Sequence, residues 1–245
     1  MLKLLNWSVK NFKQEQLVIK ELNLSFYDGQ VVAIIGSSGV GKTTFLNSLA
    51  LNTEVNSGEI YFDNKKIEFN KKTILKKYRK NIGYISQKNS LIEDISVFDN
   101  LKYVLSDKNN FLFSFLNIIT IKQKERIYEV LLDLGILDKV FYKVKDLSGG
   151  ESQRVEVAKI LLKKPKIILA DEPISNLDAL NSSYVISCFN KIAKENFSIV
   201  IINLHSLDQL KNNIDRVIGL KESKVLFDKK PLEITEQDLR LLYEK

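Results

Sequence analysis

The sequence predicts an α/β fold in which a helical segment interrupts a core of buried strands. Largely apolar runs at 31–35, 166–170 and 197–202 predict strands that are buried on both faces. The first run leads into a glycine-rich loop and then into a helical pattern, which is the order of half a β-α-β unit. The stretch 92–136 has few strand signals, and we expect it to form the helical insertion.

The elements around this core are predicted from turn residues and from hydrophobic periodicity. Apolar residues partly alternate over 17–26 and precede an Asp28-Gly29 turn, which predicts a β-hairpin ahead of the first buried strand. Within the insertion, 121–134 places its apolar residues on one helical face. The remaining predicted elements are helices at 42–51 and 182–194 and a closing hairpin of strands at 216–220 and 224–227.

Composition and charge limit the class of protein. The 245 residues are 44% hydrophobic and 27% charged, as in a soluble globular chain, and the formal net charge of +7 suits an anionic partner. The one cysteine, Cys188, excludes an intramolecular disulfide and a multi-cysteine metal site. No apolar run reaches the roughly 18 residues of a spanning helix. Lysines interrupt 1–13, which argues against a signal peptide, so we expect a cytosolic protein.

A phosphate-binding loop is predicted between the strand at 31–35 and the helix that follows it. Gly36-x-x-x-x-Gly41-Lys42-Thr43 matches the P-loop pattern, although a glycine turn without a ligand is the alternative interpretation. The glycines let backbone N–H groups turn toward phosphates at the positive end of the helix. Lys42 is expected to reach the β- and γ-phosphates, and Thr43 to offer its hydroxyl to Mg²⁺. The predicted nucleotide-binding residues of this loop are Gly36, Ser37, Ser38, Gly39, Val40, Gly41, Lys42, Thr43 and Thr44.

Two acidic residues follow the second buried strand. The strand at 166–170 runs directly into Asp171-Glu172-Pro173. The carboxyl end of a buried strand is where nucleotide sites form in open α/β sheets. We expect Asp171 to hold Mg²⁺ through water and Glu172 to polarise the water that attacks in phosphoryl transfer. Two surface acids at a strand end are the alternative.

The stretch Leu147-Ser148-Gly149-Gly150-Glu151-Ser152-Gln153-Arg154 resembles the signature motif of ATP-binding cassette (ABC) ATPases. The P-loop, this stretch and the Asp-Glu-Pro strand end occur in the order of that family, and the resemblance covers the whole chain. It implies one ATP-binding domain over 1–245, with a P-loop NTPase (RecA-like) core, an antiparallel β subdomain and an inserted α-helical subdomain. The core is expected at 1–87 and 155–245, and the helical subdomain at about 88–154.

The resemblance implies further site residues. Gln87 resembles the Q-loop glutamine that ligates Mg²⁺, Asp178 belongs to a stretch similar to the D-loop, and His205 resembles the switch histidine at the γ-phosphate. Phe12 resembles the aromatic residue that stacks on adenine, although Trp7 and Phe12 could both be core residues. The signature departs from the common Gln-Gln at Glu151-Ser152, and Thr43-Thr44 replaces Ser-Thr in the P-loop. Both departures keep the chemistry that the family requires, since Ser148 and Gly150 remain for the phosphate and a hydroxyl group remains for Mg²⁺.

The resemblance also implies an assembly with ATP and Mg²⁺ as cofactors. Two cassettes pack head to tail, so that Ser148, Gly149 and Gly150 of one face ATP in the P-loop of the other. We expect a homodimer, or a pair with a similar chain, at the cytoplasmic face of the cell membrane. Its partners would be integral membrane permease subunits and, indirectly, an extracytoplasmic substrate-binding protein.

Details resemble the phosphonate importer branch, in particular the segment 169–178, Asn203-Leu204-His205 and the carboxyl-terminal residues. Branch membership leaves the cargo open among phosphonates, phosphate, phosphite and thiamine phosphates. An exporter cassette is an alternative. A nucleic-acid ATPase is disfavoured because the chain lacks a long heptad insertion, a Cys-x-x-Cys hook and aromatic residues among its basic ones.

Two stretches of the sequence, one apolar and one basic, each allow two interpretations. The apolar stretch Phe111–Ile121 suits either a buried helix or a contact with a partner protein. The basic run Lys65–Lys80 suits either a solvated face or attraction to anionic lipid headgroups.

Overall fold

The structure is a computed structural model that describes residues 1–10, 16–86, 90–105, 119–175, 177–204 and 213–244. Three residues that the sequence assigns to the site, Phe12, Gln87 and His205, lie outside the described residues. Most of the apolar stretch Phe111–Ile121 also lies outside them.

The described residues form ten strands and seven α-helices. The strands are β1 (Leu2–Lys10), β2 (Leu17–Phe26), β3 (Val31–Ile35), β4 (Val55–Phe62), β5 (Lys65–Lys66), β6 (Ile82–Ile85), β7 (Ile167–Asp171), β8 (Ile199–Asn203), β9 (Arg216–Lys221) and β10 (Lys224–Lys229). The helices are α1 (Lys42–Leu49), α2 (Lys72–Lys80), α3 (Val97–Leu105), α4 (Ile121–Asp133), α5 (Gly149–Lys163), α6 (Ala179–Asn196) and α7 (Glu236–Tyr243). They group into two compact units, the first comprising 1–87, 165–175 and 186–245 and the second 88–164 and 176–185.

A four-stranded sheet of the first unit is antiparallel, in the order β2-β1-β4-β5. The antiparallel partner of β2 is therefore β1, and the Asp28-Gly29 turn leads out of this sheet to β3. The prediction of a hairpin around that turn was wrong. Strand β1 was not predicted, because Asn6 has a φ of 50° and the register shifts between Leu4 and Trp7, which interrupts the alternation of buried and exposed residues.

The second sheet of this unit has the order β10-β9-β3-β8-β7-β6, and its strands are parallel except for β10. Strands β3, β7 and β8 are buried at every residue, which confirms the predicted strands with two covered faces. Strands β9 and β10 confirm the predicted closing hairpin. Because β3, β8 and β7 are parallel neighbours, the residues that follow them meet at one edge of the sheet.

Helix α1 packs into the core of the first unit. Phe45, Leu46 and Leu49 are fully buried in a cluster that contains side chains of both sheets. Burying such a side chain contributes about 1.5–3 kcal/mol. The buried Trp7 donates from Nε1 to Oγ of Ser48 at 2.9 Å, so Trp7 is a core residue. These contacts hold the helix, and with it the loop that precedes it.

The second unit is helical, with α3 and α4 each packing on α5. Helix α4 begins at a capping box in which the backbone N–H of Gln123 donates to Oγ1 of Thr120. Its buried residues include Ile127, Val130 and Leu131, which confirms the apolar face predicted for 121–134. In the part of the chain that the structure describes, no helix combines the length and hydrophobicity needed to cross a bilayer.

The lysines of the basic run are exposed in β5 and α2. Helix α2 is held instead by Tyr78, which is buried and donates from its hydroxyl to the carbonyl of Leu49 at 2.9 Å. Arg79 donates from Nη2 to the carbonyl of Leu51 at 2.6 Å. The exposed lysines of α2 therefore cover its outer face, while Tyr78 and Arg79 make its hydrogen bonds to Leu49 and Leu51.

Candidate active site

The loop from Gly36 to Gly41 connects β3 to α1 and needs glycine at both ends. A Cβ on Gly36 would lie 2.4 Å from the carbonyl oxygen of Leu220. Gly41 has a φ of 109°, and its Cβ would lie 2.3 Å from Cγ1 of Val18. Gly41 has no side chain with which to cap α1, and the first turn of α1 carries no acidic residue. The N–H groups at this helix end therefore keep their attraction for an anion.

Replacing Gly41 with alanine tests whether the loop depends on this close approach. We expect Gly41→Ala to lower the melting temperature and weaken nucleotide binding, since a side chain in this backbone conformation costs about 1–3 kcal/mol before any clash is counted. Gly39→Ala is the matched control, because Gly39 has a φ of 82° but its Cβ would have no described atom within 4 Å. Thermal melting and nucleotide titration of both variants give the comparison. Equal effects would show that contact with Val18 does not shape the loop.

Lys42 lies at the start of α1 with only 6% of its surface exposed. Its Nζ donates to the carbonyls of Gly36 at 2.7 Å and Ser37 at 3.2 Å, so the ammonium group lies across the loop. Burial lowers the pKa of Lys42, while the carboxylates of Glu172 and Asp171 act in the opposite direction. A partly desolvated cation at the N-terminal end of a helix suits a multiply charged anion.

A cavity of about 680 Å³ opens beside the loop. Ser38 to Thr44 form one wall, and Glu172 also lines the cavity. The other lining residues are Gln16, Leu17, Val18, Glu222 and Ser223, from the start of β2 and the β9–β10 turn. Cavities of about 300–1,000 Å³ hold small organic ligands. This second wall could not be predicted from the sequence, because neither segment carries a recognisable motif.

Asp171 ends β7 next to the first turn of α1. Oγ1 of Thr43 donates to Oδ1 of Asp171 at 3.0 Å, and Nδ2 of Asn203 donates to the same oxygen at 2.7 Å. A hydroxyl and a carboxylate in contact are hard oxygen donors of the kind that Mg²⁺ takes, often with one or two carboxylates and substrate phosphates. The described residues contain no cluster of three His, Cys, Asp or Glu side chains that would form a complete protein cage. The donor set thus fits Mg²⁺ bound together with a phosphate ligand.

Glu172 follows Asp171 in a strained backbone conformation. Its φ of 51° is unusual for a residue with a long side chain. Such strain costs about 1–3 kcal/mol and is often found where function requires a particular side-chain direction. Glu172 lines the cavity and is close enough to Lys42 to influence its pKa. The two adjacent acids therefore have different surroundings, with Asp171 held by Thr43 and Asn203 and Glu172 at the cavity wall.

The second unit contains another cavity, of about 510 Å³. Ser148, Gly150 and Asp178 line it together with Glu151, Asn181 and neighbouring residues. The sequence predicted roles for Ser148, Gly150 and Asp178, and the structure brings these three to one surface. Gly149, the first residue of α5, has no described atom within 4 Å of the place where a Cβ would be.

Ser148 caps α5 through reciprocal hydrogen bonds with Glu151. The backbone N–H of Glu151 donates to Oγ of Ser148 at 3.3 Å, and that of Ser148 donates to Oε2 of Glu151 at 2.8 Å. The hydrogen bonds from Ser148 hold the pKa of Glu151 below its usual value. Beside them, Nδ2 of Asn181 donates to Oδ2 of Asp178 at 2.6 Å, and Nη2 of Arg154 donates to Oδ1 of Asn181 at 2.5 Å. The glutamate that departs from the common signature thus completes a cap.

Residues 19–175 match the protein-family model described as ABC transporter. A similar curated protein is the phosphonates import ATP-binding protein PhnC of Mesoplasma florum, which is 37% identical over 233 residues, covering 93% of this chain and 94% of that protein.

Solved structures are similar over nearly the whole chain. The cbiO1 protein of Clostridium perfringens, part of the ABC transporter complex cbiONQ, matches with a TM-score of 0.81 and 28% identity, covering 97% of this chain and 92% of that one. A dimeric post-hydrolysis state of the ATP-binding cassette MJ0796, bound to ADP and Pi, matches with a TM-score of 0.79 and 29% identity. The match covers 94% of this chain and 99% of that one.

Proposed function

Because the chain belongs to the ABC transporter family and is an ATP-hydrolysing transporter subunit, we propose that it drives import of a phosphonate-like or phosphorylated small solute. The observation that best supports the ATPase activity within this proposal is the hydrogen bond between Thr43 and Asp171 at the end of the glycine loop. This hydrogen bond supports a metal site formed by Thr43 and Asp171 next to a phosphate site in the glycine loop. The solute class is supported by similarity to the PhnC protein of M. florum.

The loop and the adjacent carboxylate would hold the triphosphate of ATP. The N–H groups of 37–44 and Nζ of Lys42 donate to phosphate oxygens, and Thr43 with Asp171 would hold Mg²⁺, Asp171 through water. The metal, when bound, neutralises negative charge on the β- and γ-phosphates. Phe12, Gln87 and His205 keep their proposed roles, stacking on adenine, ligating Mg²⁺ and contacting the γ-phosphate.

Glu172 would act as the general base for hydrolysis. It accepts a proton from water as the water oxygen bonds to the γ-phosphorus and the bond from that phosphorus to the bridging oxygen of ADP breaks. Asp171 is committed to its two hydrogen bonds and the metal, which leaves the proton transfer to its neighbour. Lys42 stabilises the charge that develops on the transferred group.

The surface around Ser148, Gly149, Gly150 and Asp178 would meet ATP in a second copy of the chain. The dimeric state of the similar cassette MJ0796 supports this arrangement. An intact γ-phosphate would bridge two copies, so ATP binding favours the closed dimer and hydrolysis the open one. The chain, as one ATP-binding domain over 1–245, would transmit this motion to permease subunits at the cytoplasmic face of the membrane. The similarity to cbiO1, part of a transporter complex, supports that partnership.

Co-purification tests the transporter function. Tagged protein carrying Glu172→Gln is captured from detergent-solubilised membranes with ATP and Mg²⁺, and its partners are identified by mass spectrometry. We expect a polytopic permease. The complex reconstituted from that permease and the wild-type chain, which keeps Glu172, should show ATPase stimulation by phosphonates or phosphorylated solutes in the presence of the binding protein. Recovery of soluble nucleic-acid proteins alone, beside a working permease control, would contradict the transport function. Stimulation only by solutes without a phosphorus group would contradict the proposed cargo.

A further inference from the structure

Asn203 ends β8 directly beside Asp171. The two residues are register partners in the parallel sheet, and Ile34 of β3 is the partner of Asn203 on its other side. Side chains alternate along a strand, so Asn203 lies on the face to which Ile199 and Ile201 contribute apolar side chains. A polar residue therefore ends an otherwise apolar row, at the edge of the sheet where the candidate active site lies.

The side chain of Asn203 restrains one oxygen of Asp171. Its Nδ2 donates to Oδ1 at 2.7 Å, and Thr43 donates to the same oxygen at 3.0 Å. Both hydrogen bonds that described side chains make to this carboxylate go to Oδ1. Two donors from different elements fix both the position of that oxygen and the rotation of the carboxylate. Because the amide is neutral, it adds this restraint without a charge that would compete with a cation for Asp171.

Asn203 also carries a structural cost. It is 0% exposed, and its Oδ1 has no hydrogen-bond partner among the described residues. A buried amide oxygen without a donor destabilises the folded state, which an apolar residue of the same size would not do. The sequence therefore keeps a residue that is unfavourable for stability at a position where its other polar group contacts Asp171. Residues of this kind are expected where function, not stability, selects the side chain.

We propose that Asn203 is a positioning residue that holds Asp171 in the orientation required for Mg²⁺ bound with the nucleotide. The inference rests on the proposed function, which assigns Asp171 to the metal. Asn203 acts through Asp171 and is not itself a catalytic residue. Loss of the Asn203 side chain should weaken nucleotide binding in the presence of Mg²⁺. Binding without Mg²⁺, which depends on the glycine loop, should not change.

The test measures the affinity of the purified full chain for a non-hydrolysable ATP analogue in Mg²⁺ and again in EDTA. For Asn203→Leu we expect the ratio of the two affinities to fall about tenfold, the size of one hydrogen bond to a charged group. The affinity in EDTA should stay within about twofold, and the melting temperature should not fall, since the unpaired amide oxygen is gone. Asn203→Val, which suits a buried strand, gives a second reading of the same ratio if the leucine variant does not fold.

Two control variants separate this inference from the proposed function. Thr43→Val removes a proposed metal ligand and should lower the ratio, whereas Ile202→Val, on the opposite face of β8, should leave it unchanged. If the ratio of the affinities in Mg²⁺ and EDTA is normal in Asn203→Leu but reduced in Thr43→Val, the inference about Asn203 is overturned. The assignment of the metal site would then still hold. Equal weakening of Asn203→Leu in Mg²⁺ and EDTA would show a structural role and also overturn it. A normal ratio in Thr43→Val would contradict the metal assignment itself.

Discussion

Lys42→Ala is expected to abolish nucleotide binding at micromolar concentrations and to reduce ATP hydrolysis to background. Lys42 is the charged side chain of the loop, and its Nζ lies within 2.7 Å of the carbonyl oxygen of Gly36. Hydrogen bonds to charged groups contribute about 1.5–3 kcal/mol each. Loss of two such bonds to phosphate oxygens would weaken binding by roughly 100-fold or more. The effect on turnover is larger still, because the charge on the transferred phosphoryl group would also lose its stabilisation.

Two further variants show whether the lost charge causes this effect. Lys42→Met keeps the length of the apolar stem and should lose binding as Lys42→Ala does, whereas Lys20→Ala removes an exposed lysine of β2 and should behave as the wild type. Nucleotide binding and phosphate release would be measured for all three, with thermal melting as a check on folding. Turnover near the wild-type rate in folded Lys42→Met would contradict the P-loop assignment.

The parts of the site that follow buried strands could be predicted from the sequence. Strands β3 and β7 are apolar at nearly every residue because both of their faces are covered, and each is followed by residues whose chemistry suits phosphate or metal. The glycine loop is local in sequence, so its function could be predicted from residue types alone. The helical face of α4 was predictable for the same reason, since a periodic pattern depends only on neighbouring residues.

Contacts between distant segments could not be predicted in this way. Asn203 contacts Asp171 only because β8 lies between β3 and β7, and strand order is not encoded in a local pattern. The cavity wall formed by Val18 and Ser223 likewise depends on how β2 and the β9–β10 turn approach the loop. Strand β1 was missed because its irregular register hides the alternation that indicates a half-buried strand.

Glu172→Gln should retain nucleotide binding, lose hydrolysis and accumulate as a dimer in ATP and Mg²⁺. Glutamine keeps the size of the side chain but cannot accept a proton at neutral pH, and general base catalysis contributes about 10²–10⁴-fold. We therefore expect turnover to fall by at least about 100-fold. The substitution also removes the repulsion between the carboxylate of Glu172 and the phosphates of ATP. The affinity of the variant for ATP should therefore equal or exceed that of the wild type. Phosphate release, nucleotide titration and gel filtration measure the three quantities.

Glu222→Gln is the matched control for this variant. Glu222 lines the same cavity, so its substitution removes the same charge from the same lining, but it lies in the β9–β10 turn and not next to Asp171. Its hydrolysis rate should stay close to that of the wild type. If both variants lose hydrolysis equally, the charge of the cavity and not a specific proton acceptor controls turnover. If Glu172→Gln binds ATP, does not hydrolyse it and still elutes as a monomer, Glu172 keeps its assignment as base, and the surface around Ser148 does not close on a second copy of this chain.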